Sequence, residues 1–121
     1  MIGYEKLPLH VKKAWINALR GEDYSQGKTY LRSKDDAYCC LGVLCDLGSL
    51  GNWRLDAQRY LYESPVGCSQ GGFVGCSQAV FLSEELRKLT GLDAAAESVL
   101  IRMNDNGSSF SEIADWIEKN L

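Results

Sequence analysis

The run Tyr38-Cys39-Cys40-Leu41-Gly42-Val43-Leu44-Cys45-Asp46-Leu47 constrains this chain more than any other stretch. It is the densest apolar run in the sequence, and the segments on either side carry helical patterning. Cys40, Leu41, Leu44, Cys45 and Leu47 fall close to the i, i+3, i+4, i+7 spacing of a helix with one buried face. Gly48 supplies a stop, because glycine enters the left-handed region at little cost. The spacing predicts a core helix over 39–47, against which everything else must pack. One such centre serves a chain of 121 residues. That length makes a single domain, 1–121, burying roughly two thirds of the surface its unfolded chain exposes.

The flanking elements follow from the same rules. Pro8 suits a first helical position, where a missing N–H costs nothing. Val11, Ala14, Trp15, Ala18 and Leu19 then mark one helical face, and Arg20 favours the negative end of the helix before Gly21. Lys28 to Arg32 and Ala37 to Cys39 read as a β-hairpin around the turn Ser33-Asp36, feeding the core helix. Leu50-Gly51-Asn52 is a break. Trp53 to Tyr62 alternates like a strand at Arg59-Tyr60-Leu61-Tyr62, while Leu55, Gln58, Arg59 and Tyr62 fit a helix equally.

Farther on, Val66-Gly67-Cys68-Ser69-Gln70 recurs as Val74-Gly75-Cys76-Ser77-Gln78, a period too short for a solenoid and read as a local duplication. Ala79 to Leu82 is strand-like, and Ser83 caps a helix to about Thr90. Asp93 caps a helix over Ala94 to Met103. Asn104-Asp105-Asn106-Gly107 is a turn. Ser109-Phe110-Ser111-Glu112 is a capping box, opening a helix whose buried face holds Phe110, Ile113, Ala114, Ile117 and Leu121. The class is α+β: one small domain of four to five helices with a small antiparallel sheet.

Charge narrows the function. The formal net charge of −3 supplies no positive field, which argues against general nucleic-acid binding and against an anionic membrane surface. No run approaches the ~20 apolar residues of a membrane span. Met1 to His10 lacks the apolar core of a signal peptide, so the expected place is the cytoplasm. There five cysteines stay reduced, and Cys40 and Cys45 serve as small hydrophobes.

Three blocks carry a resemblance. They are Trp15-Ile16-Asn17-Ala18-Leu19 running on to Gly21, Tyr24 and Gln26; the cysteine-rich run over 38–47; and Met103-Asn104-Asp105-Asn106-Gly107 with Ser109-Phe110-Ser111-Glu112-Ile113-Ala114-Asp115-Trp116-Ile117-Glu118. In this order the chain resembles a widespread, largely uncharacterised family of small phage and prophage proteins. The likeness covers most of the chain except Asn52 to Val80. It implies a phage accessory gene expressed inside a host bacterium, and it implies no activity, cofactor or catalytic residue.

The residues admit four chemistries. Cys39 or Cys40, at a helix N-terminus that lowers a thiol pKa, would be a nucleophile with His10 as base and Asp35, Asp36 or Asp46 as orienter. Packing explains the same thiols without a reaction. Zinc ligands fall in pairs two to four residues apart, and the cysteines here do not. A groove-reading helix should be basic, whereas the closing helix carries Glu112, Asp115 and Glu118.

Binding is the fourth. Tyr24, Gln26, Tyr30, Arg32, Lys34, Trp53, Arg54, Arg59, Tyr60 and Tyr62 concentrate in the links. From these, Arg54, Arg59, Tyr60 and Tyr62 with Trp53, Gln26 and Tyr24 form the candidate ligand-binding set. Arginine with aromatic rings suits a phosphate-bearing ligand whose base stacks, and it suits a protein partner as well. The expectation is a binding protein rather than an enzyme, with no cofactor or metal. It would counter a host antiviral function by sequestering a small nucleotide signal, with a site at a homo-oligomer interface. The alternatives are direct inhibition of a host defence protein and a cysteine-dependent enzyme.

Overall fold

The computed structural model describes residues 4, 6–48, 52–64, 76–78, 87 and 90–121. Its elements are α1 (Leu9–Arg20), β1 (Ser25–Gln26), β2 (Arg32–Ser33), β3 (Ala37–Tyr38), α2 (Cys40–Gly48), β4 (Asn52–Asp56), β5 (Arg59–Ser64), β6 (Cys76–Gln78), α3 (Ala94–Asp105) and α4 (Phe110–Asn120). This is the expected α+β class. The sheet runs β1-β3-β2-β5-β4, with β6 also on β5. One pairing, β1 on β3, is parallel, so the sheet is mixed.

The cysteine-rich run does form the centre. α2 starts at Cys40 and buries Cys40, Leu41, Gly42, Val43, Leu44 and Cys45, most of its circumference. Leu47, placed on the buried face by spacing, is 38 % exposed instead, since neighbours surround only the first turns. Trp15 of α1 donates its indole N–H to the Cys40 carbonyl at 2.9 Å. On the other side β2's approach comes close enough that a Cβ on Gly42 would run into the Leu31 carbonyl. The same carbonyl accepts from the Cys39 N–H at 3.2 Å.

α1 begins at Leu9, with Pro8 just outside it, and turns Trp15, Ile16 and Leu19 inward. Ala14, assigned to that face from the sequence, is exposed, and Ile16 replaces it. α4 lies along α1. Its capping box forms, with Ser109 and Glu112 each bonding the other's backbone N–H. All five residues of its predicted apolar face are buried. Asp93 caps α3 by accepting from the Ala96 N–H at 2.7 Å.

The predicted hairpin shortens to β2 and β3, with Asp36 in the left-handed region at φ 62°. Trp53 to Tyr62 resolves as β4 and β5 around a two-residue turn. The expected turn at 104–107 differs most: Asn104 and Asp105 belong to the last turn of α3. Of the cysteine repeat only Cys76–Gln78 is described, as β6, and the strand expected at 79–82 lies outside the described residues. So does the helix expected over 83–90, apart from Arg87 and Thr90. Among the described residues no helix is long and apolar enough to cross a membrane.

The Gly42 contact yields a test. Gly42→Ala should destabilise the fold by about 2 kcal/mol, the usual range for an overpacked core, read as a lowered urea midpoint. An unchanged midpoint would mean that Leu31 and α2 separate without cost.

Candidate functional site

The register of the sheet sorts the candidate residues by face. Side chains alternate along a strand, and directly opposed residues share a face. Trp53 opposes Tyr62 and Leu55 opposes Tyr60. Arg32 opposes Tyr60 on one side and Tyr38 on the other. Trp53, Leu55, Tyr60, Tyr62, Tyr38 and Arg32 therefore lie on one face. Arg54 opposes Leu61 and Asp56 opposes Arg59, so both candidate arginines project from the opposite face.

The shared face is an aromatic floor bound to α2. The Asp46 carboxylate, at the exposed end of α2, accepts from the Tyr24 hydroxyl at 2.6 Å and from the Trp53 indole at 3.1 Å. Burial first, and the Asp46 bond second, raise the Tyr24 pKa well above the ordinary phenol value. Tyr62 is buried and donates to the Cys45 carbonyl at 3.0 Å. Edge-to-face contacts run from Tyr24 to Tyr38, 5.0 Å between ring centres, and from Trp53 to Tyr62 at 4.8 Å.

Arg32 sits over this floor. Its guanidinium carbon is 3.9 Å from the Tyr60 ring centre, 5.3 Å from Tyr38 and 5.5 Å from Trp53. Nε and Nη2 donate to one Asp36 oxygen at 2.9 and 2.6 Å. Asp36 reaches it from its left-handed backbone position, which an aspartate tolerates better than most residues. The remaining three of the five guanidinium N–H groups carry no acceptor among the described residues.

The candidates thus divide three ways. Tyr24, Trp53, Tyr60 and Tyr62 come together, the last as a structural post. Arg54 is exposed on the far face, and half-buried Arg59 there pairs with Asp56 at 3.5 Å and lies 6.0 Å from the Tyr30 ring. Gln26 stands in a separate polar centre. Tyr38 and Asp46 escaped the candidate set. A lone carboxylate inside the apolar run was the signal for Asp46.

Asn104, fully buried, holds the polar centre. Its Oδ1 accepts from Gln26 Nε2 at 3.0 Å and from the Cys40 N–H at 3.3 Å, and its Nδ2 donates to the Gly27 carbonyl at 2.7 Å. Gln26 continues the chain, donating to the Ser108 carbonyl at 2.7 Å and accepting from the Phe110 N–H at 3.0 Å. Next to it Thr29 adopts φ 73°, rare for a β-branched residue, with its N–H on Asp105 at 2.9 Å. An open cleft of about 260 Å³ borders Gln26, Lys28, Asn104, Gly107 and Ser108. Its amides spend their bonds on the protein, which makes this centre a staple between elements.

The thiols are poor nucleophiles. Cys39, Cys40 and Cys45 are free and buried. Burial outweighs the backbone N–H groups at the start of α2 and pushes Cys39 up to about 11. Burial likewise holds Cys40 and Cys45 well above the ordinary thiol value. His10, the candidate base, is exposed at the start of α1.

Residues 7–121 match the family model described as Domain of unknown function (DUF8296). The chain belongs to that family. No curated protein and no solved structure matches it. Membership spans the aromatic floor, the Asn104 centre and all three buried thiols, so these are parts of one family domain.

Two predictions follow from this geometry. Asn104→Ala strands the Gly27 carbonyl, the Cys40 N–H and a Gln26 N–H. At roughly 1–3 kcal/mol for a buried unsatisfied group, it should lower stability by about 3 kcal/mol or more in urea denaturation. Stability should also fall in alkali. The folded chain keeps thiol protons that the unfolded chain releases above pH 9.0, so this stabilisation is complete below pH 9.0 and is lost as pH rises through about 11. The slope is about 1.4 kcal/mol per pH unit for each thiol, and a urea midpoint flat across that window would show the thiols open to water.

Proposed function

We propose that this protein is a phage accessory binding protein that counters a host antiviral function by sequestering a small nucleotide signal in the bacterial cytoplasm. The observation that carries the reading is Arg32, held 3.9 Å over the Tyr60 ring and anchored by Asp36, with N–H groups left over. A guanidinium set in place before binding loses little freedom when it meets a phosphate. Half-buried Tyr60 and Trp53 beside it offer ring faces to a base, and base stacking on an aromatic is worth roughly 1–3 kcal/mol. Buried, protonated thiols favour stoichiometric binding over thiol catalysis.

Calorimetric titration of the purified protein with a panel of cyclic and linear oligonucleotide messengers tests this. At least one should bind, and Arg32→Ala and Tyr60→Ala should each weaken it by about tenfold or more, the equivalent of 1.4 kcal/mol. Arg59→Ala, on the opposite face, should leave affinity unchanged. Binding by none of the panel, together with capture of a host defence protein that survives Tyr60→Ala, would replace the nucleotide reading with direct protein inhibition.

A further inference from the structure

β4 ends the sheet: among the described residues its one strand neighbour is β5. An open edge offers unpaired backbone groups to any approaching strand, and proteins commonly blunt it with lysine, proline or a bulge. β4 reads Asn52-Trp53-Arg54-Leu55-Asp56, with no lysine or proline and five successive pairs to β5 without a bulge. Leu55, in its middle, is 54 % exposed.

The turn Ala57-Gln58 closes on the pair Asp56 and Arg59. In such a two-residue hairpin the closing pair exchanges backbone hydrogen bonds, and the pattern then alternates. Asp56 and Arg54 thus direct their N–H and C=O groups toward β5, while Leu55 and Trp53 direct theirs toward the open side.

We propose that β4 is a dimerisation edge, taken by β4 of a second copy of this chain running antiparallel, with Leu55 opposite Leu55 on the two-fold axis. In that register each Leu55 donates its N–H to the other's carbonyl. Arg54 of each copy faces Asp56 of the other, so one two-fold axis makes both ion pairs. Charge selects the register. Centring the pair on Arg54 instead would oppose two guanidiniums, and like charges directly opposite are destabilising. Arg54 and Asp56 share the face away from the aromatics, so the ion pairs form on one side of the joined sheet. The two leucines cover each other on the other side, beside Tyr60.

Sedimentation velocity of the full chain at rising concentration tests this. The wild type should pass from monomer to dimer. Arg54→Asp alone and Asp56→Arg alone place like charges opposite each other and should weaken the dimer by about tenfold or more. Mixing the two variants should restore it, because one chain then supplies two acids and the other two bases. Leu55→Cys gives an independent reading. Opposed residues of a hydrogen-bonded pair lie about 5.5 Å apart at Cα, within disulfide reach. Mild oxidation should therefore join two Leu55→Cys chains and leave the wild type unjoined. A wild type that stays monomeric throughout, charge variants that associate like the wild type, a mixture that fails to recombine, or an unjoined Leu55→Cys chain would each overturn the proposal.

Discussion

The fold depends on one buried amide. Asn104, in the last turn of α3, binds the backbone of Cys40 at the head of α2, the backbone of Gly27 after β1, and the side chain of Gln26. Gln26 then holds the Ser108 carbonyl and the first N–H of α4. Donor and acceptor are both needed, since the site presents an N–H and a carbonyl at once. No apolar residue of similar size would satisfy either, and a buried unsatisfied group costs roughly 1–3 kcal/mol. Through this amide the start of the core helix, the edge of the sheet and the two C-terminal helices take fixed positions relative to one another.

With the core helix so held, the aromatic face acquires its shape. Asp46 gathers Tyr24 and Trp53 at the exposed end of α2, and Tyr62 stands on the Cys45 carbonyl. These bonds orient rings whose edges and faces then support Arg32. The same helix buries three thiols deeply enough to keep them protonated. One packing arrangement therefore removes the most reactive groups in the sequence from solution and leaves an arginine on aromatics at the surface, which is the chemistry of recognition.

Legibility varied with the range of the interaction. The capping box of α4, the Asp93 cap and the apolar face of α4 were readable because each is decided within a few residues. The face of α1 was misread by one position, Ala14 for Ile16, because α2 and α4 together cover it over a wider arc than a single stripe. Asn104 to Gly107 has the residue types of a turn, yet Asn104 spends its amide on distant backbone and stays helical. Arg59 and Tyr60 are neighbours in sequence, and the pleat sends them to opposite faces, so a site assembled by proximity in sequence joined groups that the sheet separates.

The amino-acid order alone determined the α+β class, a core helix at the cysteine-rich run and the helix caps, because periodicity and capping act over a turn or two of chain. Which polar residues meet was decided by the tertiary structure. Cys40, Gly27 and Gln26 lie 64, 77 and 78 positions from Asn104, and Phe110 lies 84 from Gln26. Contacts at such separations exist only once strand register and helix docking are set. The pairing of Arg32 with Tyr60, and its separation from Arg54 and Arg59, have the same origin: side chains in a sheet meet through the register of adjoining strands.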